Sequence, residues 1–329
     1  MDKKKIPFLN ALRLIATFGV VMLHTSATWF NNDLYAEEDY YAFGLYNVIN
    51  VWAVPVFVLI SGALFLNPAK ETGFRVIMTK YVRRIALALL LFGLPMCATE
   101  TIFTKGSLVG GVIYDFLTGH SWNHMWYLYM LIGLYMLTPL VKQFVNLSSR
   151  NTVLAVIGVL FVMSSVFPLM QRYGISLKGW MVLPNNPYIL LYMLGFYLLY
   201  MEKGRFKLWH IIAGIVFAIS VIVYKLTIGI GHMLYYDPMS ILLAVCLFML
   251  FKRLDFNWDI ANKLNPYCFG IYLVHTAFLN ALSKVLHISP ADWFNPWLSI
   301  PLLAVTTFML SFCACYCMRK IGFMRKYVL

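Results

Sequence analysis

The chain breaks into long apolar runs joined by short polar connections, and this pattern constrains its fold more than any other feature. A helix needs about 20 consecutive, largely apolar residues to cross the hydrocarbon core of a bilayer. Moving that window along the sequence predicts ten spans, at 7–30, 44–66, 82–103, 124–144, 152–170, 187–202, 207–227, 234–251, 265–286 and 296–318. Backbone polar groups inside lipid must be satisfied within the chain, so such runs fold as helices. The expected architecture is an all-α integral membrane protein, a single bundle of about ten transmembrane helices forming one domain over 1–329. The segment 106–119, GSLVGGVIYDFLTG, is too short and glycine-rich to span and reads as an interfacial or re-entrant piece.

Composition agrees. The chain is 61% hydrophobic and only 12% charged, where soluble domains carry about 25% charged residues. That leaves little room for a separate soluble domain. The N-terminus has the basic start and apolar run of a signal peptide. It lacks a small-residue cleavage site, however, and the run continues to Phe30, so it reads as the first span.

The net charge of +13 could suggest a nucleic-acid partner, but its distribution explains it otherwise. With the N-terminus in the cytoplasm, most of the 26 Lys and Arg fall in the inner segments 1–5, 70–84, 142–150, 203–207, 252–263 and 319–326. The outer segments hold Lys105, Arg172, Lys178, Lys225 and Lys284, and the first outer loop, NNDLYAEEDYY, is acidic. This is the asymmetry of a membrane protein with both termini inside, and no nucleic acid is required. Six cysteines include no CxxC pair or Cys/His spacing of the kind zinc uses, so no metal is expected. Cys313, Cys315 and Cys317 alternate within an apolar run and read as bilayer-buried side chains.

Inside the first span, LRLIATFGVVMLHT carries two ionisable groups, Arg13 and His24. Eleven residues at about 100° each make three turns plus about 20°, so both face the same side of the helix, about 16 Å apart along its axis. Ionisable groups at such depth are costly and normally face a bundle interior or a watery cavity. Arg13 lies toward the inner half, where a guanidinium suits phosphate or carboxylate. His24 lies toward the outer half, where a neutral imidazole can act as a general base. A snorkelling arginine and a histidine bonded to a neighbouring helix are the structural alternative.

Three further stretches carry chemistry-bearing residues. KYVRRI places Lys80, Arg83 and Arg84 at the cytoplasmic boundary, as positive-inside anchors or as a dock for a phosphorylated donor. NHMWYLYMLIGLY places His124, Trp126 and Tyr127 near the outer surface, where aromatic residues also form an interfacial belt. GIYLVH puts His275 near mid-membrane, a candidate functional group or one satisfied by a neighbouring helix. Buried Arg and His in a ten-helix bundle also suit a transporter or flippase for a small anion or a lipid-linked saccharide, although no inverted repeat or pair of broken helices is evident.

Taken in order, NALRLIATFGVVMLH, VPVFVLISGALF, KYVRRI, HMWYLYML and GIYLVH resemble the membrane-bound acyltransferase family 3, whose signature is an arginine and a histidine separated by ten residues in the first span. These are bacterial O- and N-acyltransferases of cell-surface glycans and related molecules. The resemblance implies an O-acetyltransferase or close variant in the bacterial cytoplasmic (inner) membrane. The co-substrate would be acetyl-CoA or another acyl-CoA, with no permanently bound cofactor, and the acceptor a glycan or other envelope molecule at the outer side. It implies His24 as the catalytic histidine, Arg13 as its partner, and Lys80, Arg83 and Arg84 as donor-binding residues. Asn10, Ser61, His124, Trp126, Tyr127 and His275 are expected to support the site or the acceptor. Two departures stand out. Asn10 replaces the family's usual Asp three residues before the arginine, and the family's Arg-x-x-Arg element is matched here by Lys80-Tyr-Val-Arg83 with Arg84 adjacent. The esterase-like domain appended in some members is expected to be absent.

Overall fold

The computed structural model describes residues 6–30, 37–105, 109–119, 124–175, 177, 187–229, 234–290 and 294–329. Lys178 and most of the acidic loop after the first span lie outside them. Among the described residues every regular element is helical.

Helix α1 (Pro7–Phe30) is the centre of the bundle. Pro7 sits in its first turn, where the missing N–H costs nothing. Its hydroxyls turn inward on the helix itself: Thr17 Oγ1 donates to the Arg13 carbonyl at 2.8 Å, Thr25 Oγ1 to Val21 at 2.8 Å and Ser26 Oγ to Met22 at 3.0 Å. Such bonds one turn back let polar residues sit in apolar surroundings. Around α1 pack α2 (Glu37–Val48) and α3 (Ala53–Phe65), which follow one another across a turn at 49–52.

Helix α4 (74–105) widens into π-helical turns at Ile77–Val82 and Leu89–Gly93, insertions that occur often at functional sites. The short α5 (Val109–Leu117) spans nine residues, too few to cross a bilayer, as its sequence predicts. Then come α6 (Trp126–Leu147), α7 (Arg150–Arg172), α8 (Tyr188–Met201), α9 (Leu208–Thr227) and α10 (Pro238–Leu254). The chain closes with α11 (Asp259–Leu264), α12 (Cys268–Asn280) and α13 (Pro296–Met318).

Helices α3 and α8 cross at van der Waals contact of their backbones. A Cβ built on Gly62 would fall 1.8 Å from the Tyr192 carbonyl oxygen, and one on Gly195 2.0 Å from that of Leu59. In lipid, where helices gain nothing by leaving an apolar solvent, such small-residue crossings let dispersion forces hold them together. The hydroxyls of Thr138 and Tyr192, 2.8 Å apart, tie α6 to the same crossing. Lys225 and Asp237 pair at 2.9 Å where α9 hands over to α10, and Asp237 also caps α10 by accepting from Met239 N.

Among the described residues, eight helical stretches are long and apolar enough to cross a bilayer. The two remaining predicted spans, 187–202 and 234–251, form helices, but short ones. Helix α8 begins after Pro187 and stops at Glu202, whose carboxylate meets Lys252 at 3.3 Å. Helix α10 has 17 residues, from the Asp237 cap to a left-handed Asp255.

A candidate acyl-transfer site in two chambers

Arg13 and His24 share a face of α1, as their spacing requires, but each opens onto a different hollow. At the end of the bundle rich in Lys and Arg lies a cavity of about 570 Å³. Arg13, Lys70, Arg84, Arg319 and Arg325 line it, and its described lining includes no Asp or Glu. Arg13 Nη1 donates to Asn265 Oδ1 at 2.7 Å. Asn10 goes elsewhere: its Nδ2 donates to Asn262 Oδ1 at 2.8 Å, tying α1 to α11. Ser61 also lines the cavity, its hydroxyl donating to the Phe57 carbonyl at 2.8 Å.

The basic groups come from three distant segments. Lys70 Nζ sits 3.3 Å from the centre of the Phe65 ring and 4.8 Å from that of Tyr81, a cation–π clamp. Arg84 Nη2 and Arg319 Nη1 converge on one terminal carboxyl oxygen of Leu329, at 2.5 and 2.6 Å, and Arg84 Nε donates to Val328 O at 3.0 Å. Two guanidiniums aimed at one oxygen from different helices form an acceptor-binding fork.

Of the three basic residues singled out in KYVRRI, only Arg84 is among those lining the cavity. Lys80 and Arg83 are exposed, with Lys80 Nζ 5.4 Å from the Tyr81 ring and the Arg83 guanidinium 5.6 Å from the Tyr327 ring. Nothing in the sequence marks out Asn265, and Lys70, Arg319 and Arg325 read there only as topology charges. A register argument alone could have separated Arg84 from Arg83, because adjacent residues on a helix point about 100° apart.

On the other side of Arg13, three histidines from three parts of the chain meet. The rings of His24 and His275 are 5.0 Å apart, those of His124 and His275 5.1 Å, and those of His24 and His124 6.0 Å. His275 Nε2 lies 3.3 Å from His24 Nδ1. His24 Nδ1 also faces the Val20 carbonyl at 2.9 Å, and His275 Nδ1 faces those of Tyr272 at 2.8 Å and Ile271 at 3.2 Å. His124 is held by α12, with Nε2 3.4 Å from the Leu273 carbonyl and Nδ1 3.2 Å from Thr276 Oγ1. Tyr272 donates its hydroxyl to the His124 backbone carbonyl. Among the described residues no group of three or more His, Cys, Asp or Glu has the arrangement to hold a metal ion.

His24 and His124 line a second cavity, about 20 Å³ in volume, with Trp126 and Tyr235. That is room for about one water molecule. Trp126 stacks at a tilt over Tyr235, ring centres 5.4 Å apart, and lies 5.8 Å from Tyr188. Phe57, Tyr127 and Tyr272 line both cavities and so form the partition between them. Tyr127 is 6.3 Å from Phe57 and 5.6 Å from Tyr272, centre to centre.

The arrangement is thus a cation-lined chamber facing one end of the bundle, a partition of aromatic rings, and a histidine cluster beyond it. No curated protein and no solved structure matches the chain. A family model described as an acyltransferase domain, that of acyltransferase family 3, matches residues 6–316. The resemblance carried by the arginine–histidine pair therefore extends over nearly the whole chain, transport gives way to group transfer, and the chain belongs to acyltransferase family 3 as a multi-pass membrane acyltransferase.

Proposed function

We propose that the protein moves an acyl group from a cytoplasmic acyl-CoA, acetyl-CoA being the simplest donor, to a hydroxyl or amine of an acceptor that approaches from the outer side of a bacterial cytoplasmic membrane. The observation that carries this reading is the chamber lined by five Lys and Arg side chains, with no Asp or Glu side chain in its described lining, that ends at the partition in front of His24. A coenzyme with several phosphates is the kind of donor such a chamber suits, because clustered Lys and Arg side chains favour polyanions. The basic end is the cytoplasmic end on the positive-inside rule.

In this scheme the phosphates dock on the basic chamber and the slender pantetheine arm extends along α1 past Arg13. The rings of Phe57, Tyr127 and Tyr272 turn aside to admit the thioester. His24 takes the proton of the acceptor hydroxyl, whose oxygen forms a bond to the thioester carbonyl carbon. The C–S bond then breaks and the thiolate of CoA recovers the proton. Holding donor and acceptor against one another from opposite sides converts a bimolecular encounter into a unimolecular step, which lowers the barrier by several kcal/mol. A glycan hydroxyl fits the proposal, since the tilted Trp126 and Tyr235 rings give an apolar platform next to His24.

The test is release of free CoA from radiolabelled acetyl-CoA by purified protein in nanodiscs, with envelope glycan extract as acceptor. Acetyl transfer that disappears in His24→Ala, with the variant still folded, supports the reading. Transfer at the wild-type rate by His24→Ala overturns it.

A further inference from the structure

From the contact between His24 and His275 we infer that His275 is a positioning residue for the base. It selects which nitrogen of His24 receives the proton and shares the charge that results. The inference rests on the acyl-transfer reading above and goes beyond it by giving His275 a defined chemical task.

The assignment follows from what each nitrogen faces. A neutral imidazole has one N–H and one lone pair. His275 Nδ1 points at two backbone carbonyls, Tyr272 O at 2.8 Å and Ile271 O at 3.2 Å. Carbonyls accept only, so Nδ1 carries the hydrogen and Nε2 carries the lone pair. That lone pair lies 3.3 Å from His24 Nδ1, which also lies 2.9 Å from Val20 O. His24 Nδ1 meets two acceptors, so it too carries the hydrogen, shared between them. The lone pair of His24 is then on Nε2. Backbone carbonyls of α12 fix the tautomer of His275, and its lone pair then joins Val20 O in holding the hydrogen of His24 on Nδ1. The orienting partner of a catalytic histidine is commonly a carboxylate; here a second imidazole occupies that place.

His275 is fully buried, and among the described contacts the following groups lie around the pair. α1 contributes His24 itself. The turn before α6 contributes His124, ring centre 5.1 Å from His275, and α6 contributes Tyr127 through Tyr272. Ahead of α10, Tyr235 lines the small cavity with His24. On α13 the nearest titratable group given by a contact is Cys315, against Gly270, about one and a half turns from His275 toward the basic end. The direct ring-to-ring contact of His24 and His275 lets the arriving proton be held between the two imidazoles.

The step balances as follows. The acceptor O–H bond breaks and its proton goes to His24 Nε2, while the oxygen bonds to the thioester carbon. The Nδ1–H of the resulting imidazolium strengthens its bond to the His275 lone pair, and the positive charge spreads over both rings. When the C–S bond breaks, the electron pair leaves on sulfur, Nε2–H delivers the proton to the thiolate, and both histidines return to neutral.

The experiment compares His275→Gln, which places an amide oxygen near the lost Nε2, with His275→Leu, which keeps volume and removes the acceptor. The expected result is a fall in kcat of about 100-fold for His275→Leu, on the scale of a general-base contribution, with KM for acetyl-CoA within twofold of wild type, and recovery of at least tenfold of that loss in His275→Gln. Nitrogen-15 NMR of histidine-labelled wild-type protein reads the tautomer directly, whatever the variants do, and the inference requires His24 with hydrogen on Nδ1. His24 with hydrogen on Nε2 overturns the inference, as does a folded His275→Leu protein with kcat within twofold of wild type or a His275→Gln protein as slow as His275→Leu. If His24→Ala is inactive in the same assay, the acyl-transfer reading survives each of those results; full activity of His24→Ala overturns both together.

Discussion

Asn265 accepts from the Arg13 guanidinium at 2.7 Å, joining the cation of helix α1 to a neutral amide on the turn that leads into α12. The partner is uncharged, so the positive charge of Arg13 stays available to the chamber it lines. Replacing Asn265 by Asp supplies a carboxylate that neutralises Arg13 in place. The expected outcome for Asn265→Asp is a folded protein whose KM for acetyl-CoA rises by about tenfold, roughly 1.4 kcal/mol of lost donor binding. Asn265→Ala leaves the charge but loses the hold on it, and should lower kcat more than it raises KM. Steady-state kinetics on the two variants separates the effects.

Arg84 and Arg319 meet at one oxygen, whereas Lys80 and Arg83 are exposed and are not among the residues that line the chamber. The double change Arg84→Gln with Arg319→Gln should weaken coenzyme A binding by at least tenfold, as loss of charge-assisted bonds of about 1.5–3 kcal/mol each predicts. Lys80→Gln with Arg83→Gln should weaken it by less. Titration calorimetry with coenzyme A and with pantetheine, which lacks the nucleotide phosphates, checks both. Pantetheine binding should be unaffected by either pair.

The α3–α8 crossing leaves no room for a side chain on Gly62 or Gly195. Alanine at either position must push the helices apart, at a cost of about 1–3 kcal/mol, and valine more. Gly62→Val should yield little folded protein, measured by size-exclusion profile and melting temperature in detergent, while Gly133→Ala, where an added methyl meets nothing within 4 Å, should melt as wild type does.

Phe57 belongs to both chambers. Trimming it in Phe57→Ala should open a passage between them and admit water to the thioester. The expected outcome is faster hydrolysis of acetyl-CoA without acceptor and a smaller share of acetyl groups reaching the acceptor. Free CoA release measured with and without acceptor reads that partition.

How much of this was legible in the sequence depends on the distance over which each feature is determined. The spans and the common face of Arg13 and His24 are set by local periodicity, and both can be read from one window of residues. The expected span 187–202 agrees with α8 to within a residue at each end, whereas 234–251 starts ahead of the Asp237 cap and stops short of Leu254, because the cap that sets the start of α10 is a polar side-chain bond that hydropathy does not see. His124 and His275 each stood out as ionisable groups in apolar runs, but depth in a membrane does not say which helices are neighbours. Their meeting with His24 is a property of the packing. Asn265, Lys70, Arg319 and Arg325 carry no periodic mark, and a basic residue serving topology looks the same in sequence as one serving a ligand. Arg84 differs from Arg83 only by one position, about 100° around the helix.

The partition of Phe57, Tyr127 and Tyr272 also bears on the energy economy of the cell that houses such a protein. A hollow that admits water and ions from one side, continued to the other, would dissipate the membrane potential, and each elementary charge crossing 100 mV gives up about 2.3 kcal/mol. Three aromatic rings at the meeting of the two chambers keep a low-dielectric plug in that path. A protein hollowed from one end to its histidines can thereby reside in an energised membrane without acting as a proton leak.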